Sequence, residues 1–217
     1  MYSPLARRIA EDLLEIGAVT FAVDRPFVWA SGLRSPIYCD NRLTISYPHV
    51  RRRIRDGFLT EIRSAGFQTE VIIGTATAGI PHAAWLAEAL DLPMAYVRSK
   101  PKEYGRRSQI EGCVAQGARA IIIEDLISTG GSSKAVVETV RSAGILVDAV
   151  AAIFSYELPE SRIAFEEAGI PLVTLTSFDV LLEVALERNI LEGAAAASID
   201  EWKKDPRAWS ESRSGRG

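Results

Sequence analysis

The stretch Ile121–Ser133, Ile-Ile-Ile-Glu-Asp-Leu-Ile-Ser-Thr-Gly-Gly-Ser-Ser, limits what this chain can fold into more than any other. Three successive β-branched apolar residues read as a strand buried on both faces. Glu124 and Asp125 follow at once, then small residues and a Gly pair, then the helix pattern Ala135, Val136, Val137 and Val140. The chain leaves a buried strand, makes a tight glycine turn and enters a helix. The free N–H groups of such a turn and of a helix N-terminus favour an anion. That field is worth roughly 0.3–1 kcal/mol when exposed and up to about 2 when partly buried. Ser128, Thr129, Ser132 and Ser133 add hydroxyl donors. The two acids would repel a phosphate; they suit sugar hydroxyls, which donate to a carboxylate, or a hydrated Mg2+. Acids after a strand, or a Gly pair alone, often mark nothing more than a loop. Joined in this order they are far more specific. Neither Gly-x-x-x-x-Gly-Lys-Ser/Thr nor Gly-x-Gly-x-x-Gly occurs in the chain.

Around this stretch strands and helices alternate. Strands are expected at 71–74, 94–97, 118–124, 147–154 and 172–175, and helices at 79–90, 133–143, 159–168 and 178–188. Such alternation predicts an α/β fold, a central, mainly parallel sheet flanked by helices. Leu5, Ile9, Leu13 and Ile16 predict an amphipathic helix over 3–16. Residues of about 17–45, punctuated by Pro26, Ser31–Gly32 and Pro36, form a small irregular lobe, with strand-like pieces at 19–23, 27–30 and 37–39. A helix follows over 47–65, with Arg51, Arg52, Arg53 and Arg55 on a solvated face. A chain of 217 residues can bury one sizeable core. We read 1–209 as a single domain, in which Trp202 and Trp209 pack a last helix or turn onto the body, and 210–217 as a disordered tail.

Ligands of such sheets bind at the carboxyl ends of the strands, which brings 74–79, 98–108 and 125–131 to one rim. Gly74-Thr-Ala-Thr-Ala-Gly79 is small enough for an anion to reach its amides, a second anion seat. Residues 98–109 carry Arg98, Lys100, Lys102, Arg106 and Arg107, cations suited to a diphosphate. Long for a connection between strands and holding Gly105, this segment reads as a lid that closes over substrate.

The remaining features are mostly exclusions. A net charge of −3 gives no reason to expect nucleic acid as a partner. Cys39 and Cys113, without zinc or CxxC spacing, fit a reduced, cytoplasmic protein. With His49 and His82 the only histidines, a His-based metal site is not expected. The charged, helical N-terminal pattern is no signal peptide, and no apolar run approaches the ~20 residues of a membrane span.

The strand, acid pair, Thr-Gly-Gly-Ser and helix together resemble the ribose-phosphate signature of type I phosphoribosyltransferases. Phe27-Val-Trp-Ala-Ser-Gly-Leu-Arg-Ser-Pro-Ile-Tyr-Cys-Asp-Asn-Arg42 resembles the N-terminal hood of the orotate phosphoribosyltransferases. With the lid Arg98–Gly105, the similarity covers about residues 5–190 in the expected order. The resemblance implies transfer of a 5-phosphoribosyl group from phosphoribosyl diphosphate to orotate, giving orotidine 5′-phosphate and diphosphate in pyrimidine nucleotide (UMP) biosynthesis. It implies Mg2+ as cofactor, held mainly by substrate rather than by direct protein ligands. It also implies a homodimer in which each lid reaches into the neighbour's site.

Carried over by position, Glu124 and Asp125 would hold the ribose hydroxyls. Leu126, Ile127, Ser128, Thr129, Gly130, Gly131 and Ser132 would line the phosphoribosyl site, with Ser128 also near orotate. Arg98, Lys102 and Tyr104 would bind the diphosphate end, and Lys102 and Asp125 would be the catalytic residues. The chain departs from the family pattern in having Tyr104 where a His precedes the lid Gly. It has Ala78 and Ala30 where many members carry Lys, and no Arg near Ser155–Tyr156. Arg42 and the amides around Tyr38 are the substitutes expected for holding orotate. A purine-base phosphoribosyltransferase and a non-catalytic sensor of phosphoribosyl diphosphate are the alternatives.

Overall fold

The computed structural model describes residues 2–29, 32–99 and 109–213. Helix α1, Pro4–Glu15, is capped by the Ser3 hydroxyl, which accepts from Ala6 N at 3.1 Å. The lobe that follows holds four short strands, β1 Val19–Phe21, β2 Phe27–Val28, β3 Arg34–Ser35 and β4 Ile37–Cys39. They pair antiparallel as β1 with β4 and β2 with β3, so the expected irregular hood is two small ribbons. A 3₁₀ turn, Asn41–Ser46, leads into helix α2, Pro48–Ala65.

The main sheet then begins. Its elements are β5 Val71–Thr75, α3 Gly79–Leu90, β6 Met94–Val97, β7 Ile110–Glu111, β8 Arg119–Ile127 and α4 Gly131–Ser142. They continue with β9 Leu146–Ser155, α5 Pro159–Ala168, β10 Leu172–Ser177 and α6 Phe178–Glu187. Strand order is β10-β9-β8-β5-β6-β7, with every neighbouring pair parallel except β6 with the edge strand β7.

The isoleucine run is consumed by both faces of this sheet. Ile121 and Ile123 pack with Ile9, Ile54, Phe58 and Leu86 of α1, α2 and α3 on one side. Ile122 packs with Val137, Val140 and Phe165 of α4 and α5 on the other. Central parallel strands leave no solvated face, so alternation is absent from their sequence. Among the described residues no helix is long and apolar enough to cross a membrane.

Three expectations need correction. Strand β8 runs through the acid pair to Ile127 instead of stopping at 124, because Leu126 and Ile127 stay in register with Phe154 and Ser155 of β9. The arginine face of α2 is not merely solvated. Arg53 Nε donates to the fully buried Asp12 at 2.6 Å, and Arg51 lies 4.9 Å over the Trp85 ring. The domain boundary read at 209 falls inside a helix. Two helices close the fold, α7 Gly193–Lys204 and α8 Pro206–Glu211. Ser210 is buried, and its hydroxyl accepts from Arg34 N at 2.9 Å. The Trp202 indole donates to Arg34 O at 3.1 Å. The C-terminal helices thus hold the β2–β3 ribbon of the hood.

Candidate active site

The chain order reverses between β5 and β8. From β5 the sheet grows toward β6; from β8 it grows the other way, through β9 to β10. The crevice outside the carboxyl ends at such a reversal is where α/β sheets bind ligands. Here it is flanked by the turn Gly74–Gly79 on one side and the end of β8 on the other.

Glu124 is buried, and its carboxylate is held by three donors. Thr75 Oγ1 donates to Oε1 at 2.6 Å, Asp125 N–H to Oε1 at 3.1 Å and Ser133 Oγ to Oε2 at 3.3 Å. Burial, then the neighbouring Asp125 charge, push its pKa up to about 8. Burial raises Asp125 as well. Asp125 is half-buried, at the open side of the pair. Ser133 was expected among the phosphate donors; it is buried and turned onto Glu124. It lies in the first turn of α4, whose first residue, Gly131, comes two positions earlier than the expected start at 133.

Ser128 and Thr129 are half-buried, while Gly131 and Ser132 are exposed. Gly130 takes φ +81°, a left-handed conformation costly for other residues, and turns the chain into α4. Its Cα also sits close against α5, where an added Cβ would lie 3.3 Å from Ala164 Cβ. The first-turn amides of α4 therefore face the rim without intrahelical acceptors. Leu126 and Ile127, placed in the binding loop by sequence, are strand residues. The Ile127 side chain belongs to the core beside Val137, and its carbonyl accepts from Tyr156 N at 2.9 Å.

On the other flank, the Ala76–Thr77 peptide is cis, and Ala76 N donates to Val97 O at 2.9 Å. Gly79 has no room for a side chain; a Cβ would lie 2.4 Å from Ile123 O and 2.6 Å from Thr75 Oγ1. Arg98 and Gln109 stand opposite one another at the ends of β6 and β7, with Arg98 N donating to Gln109 O at 2.9 Å. Arg98 Nη1 lies 3.6 Å from Glu111 Oε1. Lys102 and Tyr104 lie outside the described residues.

The hood reaches the same rim. Asn41 Nδ2 donates to Asp125 O at 2.6 Å. Arg42, a candidate for orotate, is already clasped by Asp40, with Nε and Nη2 donating at 2.6 and 2.7 Å. Tyr156 is buried, its ring 4.6 Å from that of Trp29, and its hydroxyl accepts from Cys39 N at 3.0 Å. Thr75 and Asn41 lie in the turn and the hood segment singled out by sequence, but their bonds to Glu124 and Asp125 were not foreseen, nor was that of the Tyr156 hydroxyl to Cys39, because the partners are far apart in the chain.

Among the described residues no group of three or more His, Cys, Asp or Glu could hold a metal ion. What the rim offers is a helix N-terminus and a small-residue turn with an acid pair between them, chemistry that suits a phosphorylated sugar. Phosphoribosyl transfer is the class of chemistry this fold and rim define. The phosphoribosyl transferase domain family matches residues 47–163. An orotate phosphoribosyltransferase of Listeria monocytogenes is 51% identical over 205 residues, spanning 94% of this chain and 98% of that protein. The crystal structure of orotate phosphoribosyltransferase from Aeropyrum pernix is 30% identical with a TM-score of 0.72, over 81% of this chain and 96% of that one. Leishmania donovani UMP synthase shares the fold at 24% identity and a TM-score of 0.80; the match covers 92% of this chain and 42% of that longer one. The chain belongs to the orotate phosphoribosyltransferases.

Proposed function

We propose that this enzyme transfers the 5-phosphoribosyl group of phosphoribosyl diphosphate to orotate, giving orotidine 5′-phosphate and diphosphate for UMP synthesis. The acid pair at the sheet's reversal, facing an N-terminal helix cradle, is the observation that carries the reading. In it the Glu124 and Asp125 carboxylates accept from the ribose 2- and 3-hydroxyls. Residues 126–132 cradle the 5-phosphate through main-chain amides and the Ser128, Thr129 and Ser132 hydroxyls, and Ser128 also borders the base. The turn 74–79, with Arg98, Lys102 and Tyr104 of the lid, receives the diphosphate.

The bond from ribose C1 to the diphosphate oxygen breaks as the bond to the orotate nitrogen forms. Positive charge grows on the ribose, where Asp125 stabilises it, and negative charge on the leaving group, where Lys102 does. The reaction requires no covalent enzyme intermediate. Mg2+ would be held mainly by substrate phosphates rather than by direct protein ligands, beside the Glu124–Asp125 pair; among the described residues no larger cluster of His, Cys, Asp or Glu offers it a site of the protein's own. Once bound with the diphosphate it would offset the leaving group's charge. Homodimerisation with lids shared across subunits is supported by family membership and by Tyr38, Leu43 and Tyr47, large apolar side chains left exposed along the hood and the start of α2. A cytoplasmic location is part of the same reading.

The test follows orotate's ultraviolet absorbance with phosphoribosyl diphosphate and Mg2+. Loss of orotate that requires enzyme and both additions is expected. No loss, with phosphoribosyl diphosphate binding intact, would overturn the assignment of the base.

A further inference from the structure

Strand β5 leaves its partner early. Its pairing with β8 ends at Gly74 opposite Ile123, while β8 runs on to Ile127. Carbonyls that β8 turns toward β5 beyond that point need other donors. The Asn41 side-chain amide donates to one of them, Asp125 O, at 2.6 Å.

Asn41 is 1% exposed, at the start of the 3₁₀ turn. Both ends of its amide are committed. Oδ1 accepts from Cys39 Sγ at 3.2 Å, and burial raises that thiol's pKa, keeping it protonated and a donor. A donor on one side and an acceptor on the other decide which way round the amide lies. The main-chain carbonyl of Asn41 accepts from Thr44 Oγ1 at 2.6 Å, and the same hydroxyl lies 3.1 Å from His82 Nε2. The hydroxyl's one hydrogen goes to Asn41, so the imidazole is the donor, with its proton on Nε2. Burial lowers its pKa to about 4 and leaves it neutral. His82 sits in the first turn of α3, directly after the Gly74–Gly79 turn. One buried residue thus ties the hood, the helix behind the diphosphate turn and the acid-bearing strand together.

We propose that Asn41 is a positioning residue for phosphoribosyl transfer, holding the Asp125 main chain, and with it both carboxylates, in register with the turn 74–79. The proposal rests on reading Glu124 and Asp125 as the ribose-binding acids. In this role Asn41 touches no substrate; it acts through Asp125.

The experiment is a double-mutant cycle, measuring kcat and KM for phosphoribosyl diphosphate in wild type, Asn41→Ala, Asp125→Asn and the double variant. Asn41→Ala is expected to lower kcat by about tenfold, the scale of one lost buried hydrogen bond. In the Asp125→Asn background the same change should cost less than about twofold, because its target is already disabled. A residue that only supports the fold would cost the same factor in both backgrounds, and that result overturns the proposal. So does an Asn41→Ala kcat within about twofold of wild type while Asp125→Asn is impaired. If Asp125→Asn itself behaves as wild type, the acid-pair reading fails and the Asn41 proposal with it, and that arm reports the failure separately.

The isosteric Asn41→Asp decides the matter should the alanine variant not fold. Only its protonated carboxyl can donate to Asp125 O, so its kcat relative to wild type should fall as pH rises. A flat ratio overturns the proposal.

Discussion

Thr75 and Glu124 meet across the point where the sheet reverses, the hydroxyl on β5 donating to the carboxylate on β8 at 2.6 Å. With Ser133 and the Asp125 amide it surrounds an acid whose pKa burial and Asp125 push up to about 8, from an ordinary 4.5. Between those values the folded protein binds a proton that the unfolded chain does not, so stability falls as pH rises through the window and levels off above it. Glu124→Gln removes this titration. We expect its Tm advantage over wild type to grow from pH 4.5 to pH 8 and then stay constant, by about 2–4 °C for each kcal/mol recovered. A Tm difference independent of pH, read by thermal unfolding across the range, would refute this account.

Ribose hydroxyls donate, and an ionised pair accepts from them more strongly than a protonated one. Burial holds the pair above the ordinary carboxylate range, so the free pair keeps a proton to higher pH than exposed acids would, and binding phosphoribosyl diphosphate should release it. Calorimetry in buffers of different ionisation enthalpy reads the release directly. A binding enthalpy that is the same in every buffer would mean that the acid keeps its proton or never held one.

Gly79→Ala would press a methyl group into Ile123 O and Thr75 Oγ1. Overpacking of this kind costs about 1–3 kcal/mol, and it also pushes Thr75 off Glu124. The expected result is a lower Tm together with weaker phosphoribosyl diphosphate binding. Wild-type affinity in a folded Gly79→Ala protein would show that the turn tolerates displacement.

Trp202 is completely buried among Trp29, Tyr156 and Phe178, its ring 5.5–6.1 Å from theirs. Replacing it by Ala should cost about 3–5 kcal/mol and leave Arg34 O without its indole donor. Because Trp29 belongs to the hood, the KM for orotate should rise more than the KM for phosphoribosyl diphosphate. Equal changes in both constants would separate this cluster from base binding.

Lys102→Ala should lower kcat by about 10²–10³, the scale of losing one oriented charge-stabilising group. If lids act in trans, mixing Lys102→Ala subunits with Asp125→Asn subunits restores part of the activity. Failure to restore it after demonstrated subunit exchange would place each lid over its own site.

The sheet was legible because buried parallel strands are written as apolar runs, and the rim because acids and glycines interrupt those runs at their carboxyl ends. Boundaries were less legible where pairing outlasts hydrophobicity. Asp125 is a strand residue only because Leu126 and Ile127 beyond it remain in register with β9. Arg53 read as solvent-facing since its partner, Asp12, lies on another helix. Asn41 stood in the hood segment without showing its role, for its partners Asp125 and, through Thr44, His82 are brought to it by the fold alone. Tyr156 shows the same limit: its hydroxyl serves Cys39 of the hood, a relationship that no local pattern carries.

The hood ribbon is gripped by the peptide group on either side of residue 34, through its N–H to Ser210 and its carbonyl to Trp202. Neither bond involves the arginine side chain. A substitution at 34 leaves both bonds available, whereas one at 202 or 210 is felt some 170 positions upstream. A carrier protein or affinity handle joined just after α8 would load this connection, so the choice of fusion end bears on how the hood is seated on the sheet.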